Sequence, residues 1–475
     1  MKKLFFLAMI NKLKQSIHLL SFIIFLGACK KEVFKESIIN EKPVAIAGPD
    51  QAIAFDSVFL SGGNSYKNGG TITGYLWTKI YGPVAFNIKD PSQAKTVVSN
   101  LVQGVYRFEL KVTDNSGLFA KDTVQVTVNF PPSSFCNNNN RQQVNVQLLP
   151  VGTLSELRCG MAIASAGNKI LFAGGYKDVG PSTRIDIYDI TTQVWSTAEL
   201  SVPGFDIKAV TCGNKIFLVG GEYDYGSPSR FVDVYDVTTN TWSVDSLSEP
   251  RWRITVGTVG NKVFFAGGEY RYLAGEYSPK VDIYDLSTNA WTTTNFNVGR
   301  TYMSTVTANN KLYFAGGLES FNDDALDRID SYDNTTGTWS VSHLSEPKIG
   351  FAAIASADKI YWAGGVNARG GSCSVEIKDV NTGASTNAYL FKAADSLYYY
   401  GDDKAVMKND KIVFRPRYND NKFDIYDIGT NSWYIGVLPV NTFRGGSIIS
   451  VNNTIYIAGA TVNGVLSNQV WKLEF

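Results

Sequence analysis

The sequence predicts an all-β protein in which seven four-stranded sheets surround a central axis, preceded by a smaller β-sandwich. Short strands separated by turn residues run along the chain, and no long stretch has helical periodicity. A motif recurs about every 50 residues from residue 158 to the C-terminus. The 475 residues include 43 glycines, 25 tyrosines and 27 phenylalanines, a composition typical of strands and tight turns.

Residues 1–28 are predicted to be a targeting segment that takes no part in the fold. A basic start precedes an apolar run, residues 17–28, that is too short to span a bilayer core of about 30 Å. The run ends in Leu-Gly-Ala-Cys at residues 26–29, which resembles a bacterial lipobox. This resemblance implies a lipoprotein with a palmitate-type anchor on Cys29 and a flexible tether over residues 29–41.

The resemblance to lipoproteins of the Bacteroidetes implies an outer-membrane location. Their surface-export signal favours acidic residues soon after the lipidated cysteine, and Lys30-Lys31-Glu32 fits it only in part. The cell surface and the periplasmic face therefore both stay open. The 44 basic and 43 acidic residues nearly balance, which gives no reason to expect nucleic acid as a partner.

Residues 42–129 are predicted to form an immunoglobulin-like β-sandwich. Two segments, residues 105–114 and 121–129, alternate between apolar and polar side chains, and Trp77 lies in a third strand as a candidate core residue. The phrases AGPDQ (47–51), GTITGYLWTKIYGP (70–83) and YRFELKVTDNSG (106–117) resemble a PKD domain. The resemblance implies a spacer or adhesion module without general catalytic residues. Residues 130–141, with two prolines and an Asn run, are predicted to be a linker.

The repeats over residues 142–475 share three anchors. A strand ends in a glycine pair, a second carries Tyr-Asp, and a Trp follows the Tyr by seven residues, as in Gly267-Gly268, Tyr284-Asp285 and Trp291. One four-stranded sheet cannot bury both faces alone, whereas sheets stacked radially bury them against their neighbours. The three anchors resemble the kelch repeat, which implies a β-propeller with aromatic contacts between its blades.

Counting the copies predicts seven blades closed by the two ends of the array. The last copy ends before its Trp strand, and Leu149 lies nine residues before Arg158. Trp242, Trp291 and Trp339 lie the same nine residues before Arg251, Arg300 and Lys348. The segment 142–149 is therefore predicted to supply the missing outer strand. The fifth and sixth copies depart from the pattern: Lys378 and Ser385 replace Tyr and Trp, and Pro416-Arg417 replaces the glycines. Two explanations stay open: these copies have decayed without acquiring a function, or they have diverged in order to make a contact.

Ligands of propellers bind across the channel mouth, where the resemblance places the loops after the glycine pair and after the Trp strand. Aromatic faces combined with carboxylates and guanidiniums are suited to sugars, so a glycan or a protein is the predicted partner of a monomeric, non-catalytic binding protein. Packing between blades is the competing explanation, especially for the arginines, which recur at one register. The candidate ligand-binding residues are Glu222, Tyr223, Tyr225, Arg251, Trp252, Glu269, Tyr270, Tyr272, Arg300 and Tyr302.

An enzymatic alternative is a sugar mutarotase or sialic-acid epimerase that uses acids and arginine at the mouth. Copper oxidase chemistry lacks its ligands, because the only histidines are His18 and His343. We therefore predict no metal site and no cofactor; the acidic residues 322–327 lack a recognised calcium pattern. The spacing of Cys159 and Cys212 does not favour a pair, and a bond from Cys136 to a propeller cysteine stays open.

Overall fold

In the computed structural model, all the described secondary structure consists of strands, bridges and turns, which confirms the all-β prediction. Cys29, the predicted signal and tether, and most of the predicted linker lie outside the described residues. The structure describes residues 41–53, 57–84, 86–99, 101, 104–128, 140–224, 227–270, 277–320, 325–367, 370–393, 404–415 and 421–475.

The N-terminal unit consists of two sheets. The larger sheet contains, in spatial order, Gln51–Ile53, Phe119–Val128, Gly104–Asp114 and Ile72–Tyr81. The smaller sheet contains Val58–Ser61, Lys95–Ser99 and Asn87–Ile88. Inward side chains alternate along the long strands, as the sequence predicts for half-buried strands. Trp77 is 2% exposed, so its predicted place in the core is confirmed.

A buried ion pair orders one turn of this unit. Asp114 ends its strand and accepts hydrogen bonds from the backbone N–H groups of Ser116 and Leu118 at 2.9 and 3.0 Å. Lys67 Nζ lies 3.1 Å from the same carboxylate. Burial alone would raise the pKa of Asp114, but these hydrogen bonds outweigh it and lower the pKa below its ordinary value. The side chain therefore stays ionised and holds the turn.

Within its described residues the repeat region forms seven sheets of four or more strands, numbered here sheet 1 to sheet 7 in chain order, besides two short two-stranded sheets. The pairings in the seven sheets are antiparallel except for one added strand in sheet 6. In each, the strands run from the first to the fourth across the sheet. Sheet 1 contains Ala162–Ala166, Lys169–Ala173, Gly180–Asp189 and Trp195–Gly204; sheet 2 contains Lys208–Cys212, Lys215–Val219, Phe231–Asp236 and Thr241–Ser246; sheet 3 contains Thr255–Val259, Lys262–Ala266, Lys280–Asp285 and Ala290–Asn295; sheet 4 contains Ser304–Ala308, Lys311–Ala315, Arg328–Asp333 and Thr338–His343.

The last three sheets follow the same order, with two additions from the start of the repeat region. Sheet 5 contains Ala352–Ser356, Lys359–Ala363, Ser374–Asp379 and Ser385–Tyr389; sheet 6 contains Ala405–Lys408, Lys411–Phe414, Lys422–Asp427, Ser432–Val437 and then Gln143–Asn145; sheet 7 contains Phe443–Val451, Thr454–Val462, Gln469–Glu474 and then Gln147–Thr153. Short strands at the loops are Tyr176–Lys177, Glu222–Asp224, Ser227–Pro228, Val366–Asn367, Gly370–Gly371 and Val465–Leu466.

The first strands of the seven sheets contact one another in a closed cycle, which includes a contact between sheet 1 and sheet 7. Hydroxyl groups on these strands donate to carbonyl oxygens of the neighbouring sheet. Thr211 Oγ1 lies 2.8 Å from Ser165 O, and Ser447 Oγ donates to Met161 O across the junction of the two chain ends. A radial array of this kind is a β-propeller.

The three repeat anchors pack the sheets against each other. Tyr284 and Trp291 stand opposite each other in sheet 3 with their rings 5.1 Å apart, and Tyr284 also lies 5.4 Å from Phe217 of sheet 2. Gly267 adopts a φ of +64°, and a Cβ there would lie 2.1 Å from the carbonyl oxygen of Arg300 in the next repeat. Only glycine meets both requirements, so the pair is part of the scaffold.

The N-terminal strand completes sheet 7, but at a different register from the predicted one. Residues 147–153 pair with residues 469–474, whereas residues 143–145 add a parallel strand to sheet 6. A bulge between Val470 and Trp471 shifts the pairing, so that Leu148 lies opposite Leu473. Leu149, which the nine-residue spacing places in the position of Trp, is 42% exposed.

The fifth copy keeps its register despite its altered anchors, because Lys378 pairs with Ser385 as Tyr188 pairs with Trp195 in sheet 1. Among the described cysteines, Cys159 and Cys212 are free, as the repeat spacing predicts. Cys373 is disulfide-bonded. Cys136 lies outside the described residues, and its partner stays a prediction.

Candidate functional site

The first strands enclose a cavity of about 670 Å³ on the propeller axis. Side chains of the first strands and of the residues just before them line it, from Met161 in sheet 1 round to Ser447 in sheet 7. The volume lies within the range of about 300–1,000 Å³ that small-molecule sites occupy. The cavity therefore offers a place for a ligand at the mouth that the sequence indicates.

One position at this mouth has an unusual backbone. Two residues before the start of the strand core, the chain adopts a left-handed φ in six copies. Three copies have glycine there, and three neighbouring copies do not. The glycines are Gly160, Gly350 and Gly445, with φ of +65°, +58° and +69°; the others are Asp206, Arg253 and Tyr302, with φ of +56°, +51° and +55°. Asp206, Arg253 and Tyr302 are called the left-handed trio below, and all three line the cavity.

Arg253 lies at the centre of the trio. Its guanidinium stacks over the ring of Trp252 at 3.7 Å and lies 5.0 Å from the ring of Tyr302. Nη1 donates to the carboxylate of Glu269 at 3.1 Å, and Nε lies 3.8 Å from that of Asp206. Aromatic faces and carboxylates from neighbouring repeats thus fix the orientation of one planar cation.

The acid–base properties of this cluster follow from its partial burial. Desolvation raises the pKa of Glu269 above its ordinary value, although Arg253 opposes the shift and the nearby carboxylates of Asp206 and Glu222 add to it. Burial would lower the pKa of Arg253, but Tyr302 and Glu269 outweigh it and raise the pKa. Arg253 therefore stays charged, while the pKa of Glu269 lies above its ordinary value.

Arg251 and Arg300, predicted as ligand-binding residues, have fully buried side chains. Arg251 Nη1 donates to Gly267 O at 2.7 Å and Lys280 O at 2.8 Å, and Nη2 donates to Asp282. Arg300 makes the equivalent contacts with Gly316 O, Arg328 O and Asp330. These guanidiniums hold the second and third strands of one sheet together, so both arginines are reassigned to the scaffold.

The remaining candidates fall into two groups. Glu222, Trp252, Glu269 and Tyr302 are buried, at most 6% exposed, and of these four only Tyr302 belongs to the described lining of the cavity. Tyr270 is half-buried next to Glu269. Glu269 and Trp252 also bridge their backbones. Tyr225 and Tyr272 lie outside the described residues, as does the side chain of Tyr223, so their predicted ligand contacts stay predictions.

Two members of the trio, Asp206 and Arg253, are not among the ligand-binding residues predicted from the sequence. A signal was present: aligned on the glycine pairs, their position is glycine in copies one, five and seven. The sixth copy has Asp402 there, outside the described residues, so the replaced copies are two, three, four and six. The run of three consecutive repeats without glycine is the part that points to a backbone position under special demand. Spacing alone did not show that residue 253 faces the cavity while residue 251 is buried.

Basic side chains outnumber acidic ones in the described lining of the cavity. The basic residues are Lys208, Arg253, Lys404, Arg415 and Arg444, and the acidic residue is Asp206. Lys208 Nζ pairs with Asp206 at 3.0 Å. Within the described ranges no group of three or more potential metal ligands occurs. Nor does this part of the chain contain a helix long and apolar enough to cross a membrane.

Family models match two regions of the chain. A PKD-domain model matches residues 47–128, and one described as "Kelch motif" matches residues 157–199 and 203–244. Residues 47–128 are a PKD domain, and Kelch motifs follow it. The two resemblances seen in the sequence are therefore confirmed, together with the propeller and the immunoglobulin-like unit.

Two curated relatives are each similar to about a fifth of this chain. The "Dyslexia-associated protein KIAA0319 homolog" of Rattus norvegicus is 37% identical over 99 residues, 20% of this chain and 9% of that protein. "Low-density lipoprotein receptor-related protein 11" of Homo sapiens is 34% identical over 88 residues, 18% of this chain and 17% of that protein. The chain thus spans less than a fifth of either relative. A solved structure titled "Structure of YjhT" is 12% identical with a TM-score of 0.42, and the match covers 68% of this chain and 95% of that one.

Proposed function

We propose that the protein is a non-catalytic binding protein whose propeller mouth binds a glycan or a protein partner, with the PKD domain as a spacer. The left-handed trio is the observation that carries this proposal. Three neighbouring copies place non-glycine residues at a position where the other described copies have glycine. The side chains that this exception provides all line one cavity.

Left-handed backbone costs a non-glycine residue about 1–2 kcal/mol, because Cβ approaches the following carbonyl oxygen. Glycine at residue 206, 253 or 302 would remove that cost without changing the fold of the repeat. Strained positions of this kind cluster where a side chain is needed at a ligand site. A role of the trio in ligand binding explains why three adjacent repeats retain this conformational free-energy cost.

The chemistry of the trio suits the recognition of hydroxyl and carbonyl groups. Arg253 is oriented by Trp252 and Glu269, so its guanidinium is preorganised, and preorganised donors lose little entropy on binding. Tyr302 adds an aromatic ring at 5.0 Å and Asp206 adds an acceptor. Sugars and peptide backbones both offer partners for such groups.

Replacing residues of the trio with glycine, the residue of the other described copies, tests the proposal. We expect Asp206→Gly and Arg253→Gly to weaken binding of a glycan-array ligand or an isolated protein partner at least tenfold, with folding retained because glycine relieves the backbone. Arg230→Ala, which removes an exposed arginine outside the cavity, is the matched control. Thermal melting of each variant checks folding. Equal binding by the two glycine variants and by the wild type would refute the role of the trio.

A second candidate function is proton transfer on a sugar, as in a mutarotase or sialic-acid epimerase. One observation favours it: Glu269 has a raised pKa and lies 3.1 Å from an arginine at the mouth. A mutarotation assay on sialic acid and common hexoses tests it, with Glu269→Gln as the inactive control. A rate equal to the uncatalysed one in the wild type would exclude this candidate.

A further inference from the structure

We infer that sheet 6 holds both ends of the propeller chain in place through two ion pairs, Arg141–Asp424 and Lys408–Glu474, called the end clamp below. The N-terminal segment that they hold, residues 141–153, is called the strap. The inference concerns how the ring stays closed and involves no ligand, so it does not rest on the proposed binding function. It follows from ion pairs that the repeat pattern does not predict.

Asp424 of sheet 6 occupies the position at which other sheets pair a buried carboxylate with a buried arginine. In sheets 1, 3 and 4, the arginine of the same repeat supplies the counter-charge. The sixth repeat has Tyr400 at the register of that arginine, yet Asp424 is 4% exposed. Because a buried carboxylate without a cation is costly, the sixth repeat needs a counter-charge from elsewhere in the chain.

Arg141, the first residue of the strap, supplies that counter-charge from the other end of the repeat region. Its Nη1 donates to Asp424 Oδ1 at 2.5 Å, although 283 residues separate the two in the sequence. Its Nη2 donates to Tyr389 O at 2.5 Å in the fourth strand of sheet 5. The guanidinium also lies 4.8 Å from the ring of Trp433 in sheet 6. One side chain therefore fixes the start of the strap against two sheets.

The rest of the strap follows the outer edges of sheets 6 and 7. Residues 143–145 pair in parallel with residues 435–437, and residues 147–153 pair with residues 469–474. Val146, between the two strands, is 2% exposed and belongs to the apolar core of these sheets. The parallel pairing is only three residues long, so the ion pair of Arg141 adds an attachment where the strand pairing is shortest.

Lys408 holds the C-terminal strand of sheet 7. Its Nζ donates to Leu473 O at 3.1 Å and to the carboxylate of Glu474 at 2.6 Å, and it lies 5.0 Å from the ring of Phe475. Leu473 and Glu474 pair in turn with the strap. The two ion pairs of the end clamp therefore act on strands that are paired with each other.

The position of Lys408 is uncharged in every other copy. Lys408 is the last residue of the first strand and stands opposite the first residue of the second strand. The equivalent residues of the other six sheets are Ala166, Cys212, Val259, Ala308, Ser356 and Val451. Packing within a propeller sheet therefore does not require a lysine here, whereas the C-terminal strand of sheet 7 gives it two oxygen acceptors.

The place of the end clamp in the chain determines how a pulling force reaches the propeller. The PKD domain precedes the strap in the sequence, so a force transmitted along the chain from that domain arrives at Arg141. Removing one partner of a buried ion pair leaves an uncompensated buried charge, which favours local opening. Loss of the end clamp should therefore release the strap before the rest of the ring.

Hydrogen exchange of the whole protein, followed by mass spectrometry in reducing buffer, tests the inference. We expect Arg141→Met to speed amide exchange of residues 143–153 and 469–474 about tenfold or more, with the exchange of sheets 2 to 4 unchanged. Lys408→Met should speed the exchange of residues 469–474 in the same way. Methionine keeps most of the apolar stem of both side chains. The reducing buffer cleaves the disulfide of Cys373, so that no covalent link takes the place of the ion pairs.

Lys411→Met is the matched control, because Lys411 also belongs to sheet 6 and pairs with Asp427 of the same sheet. It should leave the exchange of the strap unchanged. The double variant of Arg141→Met with Asp424→Asn removes both charges of the buried pair. Its strap should therefore exchange more slowly than that of Arg141→Met alone, a rescue that a space-filling role of Arg141 would not produce.

Three results would overturn the inference. One is faster exchange spread evenly over all seven sheets in Arg141→Met, since the arginine would then stabilise the propeller as a whole. Another is a strap that keeps its wild-type protection in both single variants. The third is a double variant that exchanges as fast as Arg141→Met, because the charge of Asp424 would then play no part. Since no ligand is added, none of these results bears on the binding mouth.

Discussion

At one position of the repeat, a buried arginine that pairs with a buried carboxylate has a structural role. Arg158 pairs with Asp186 at 2.7 Å inside sheet 1, with both side chains at most 2% exposed. In the second repeat Gly204 stands where the arginine is expected, and desolvation, opposed only by hydrogen bonds from Ser201, raises the pKa of Asp233. The comparison indicates that the arginine supplies the counter-charge of the buried carboxylate, which is a structural role.

Asp427 gives a prediction at the same scale. Lys411 and the backbone N–H of Thr430 hold the pKa of Asp427 at about 2. Since the pKa in the folded state is depressed, the ionised carboxylate stabilises the fold above its unfolded pKa of about 4, and this contribution is lost as pH falls towards 2. Asp427→Asn should therefore melt below the wild type at pH 6, and the two curves should converge by about pH 2.

Thermal melting from pH 6 to pH 2 checks this expectation, with the exposed residue Asp358 changed to Asn as the control. A melting-temperature difference between wild type and Asp427→Asn that stays constant over the whole range would contradict it. The same expectation applies to Asp189 and Asp333, because each carboxylate contacts a lysine and the backbone of its turn in the same way.

At the scale of strands, the repeat pattern predicts which elements pair but not the local register at the junction. The glycine pair, Tyr-Asp and Trp fix the second, third and fourth strands, because each anchor has one place in the packing. The closing strand has none of these anchors. A one-residue bulge in this strand exchanges the environments of Leu148 and Leu149. Because both residues are leucine, the apolar pattern of the sequence does not show which of them faces the core.

The leucine pair provides a matched test of the closing strand. Leu148 packs against the buried core of sheets 6 and 7, whereas Leu149 is 42% exposed. We expect Leu148→Ala to lower the free energy of unfolding by about 1–3 kcal/mol, because the side chain is partly buried, and Leu149→Ala to change it by about 0.5 kcal/mol or less. Denaturant unfolding measures both, and a larger effect of Leu149→Ala would restore the register predicted from spacing.

For the whole molecule, the order of domains and the all-β class could be predicted because they follow from recurring anchors and alternation. The site could be predicted only to the level of the mouth. Arg251 and Arg253 are two residues apart, yet one is buried in sheet 3 and the other lines the cavity. That difference arises from a left-handed turn at Arg253, a backbone feature that a single sequence shows only through comparison of its own repeats.

The predicted lipid anchor concerns the whole molecule, and it rests on the basic start, the apolar run of residues 17–28 and the Leu-Gly-Ala-Cys sequence at residues 26–29. If Cys29 carries the acyl chains, the full chain expressed in a bacterium should incorporate labelled palmitate and sediment with the membranes. Cys29→Ser should lose the label and move to the soluble fraction, because no second hydrophobic anchor is predicted. Cys159→Ser, which removes a free cysteine of the propeller, is the control and should behave as the wild type. A Cys29→Ser protein that still sediments with the membranes would show that another segment holds it there, and a protease added to intact cells would then separate surface from periplasmic exposure.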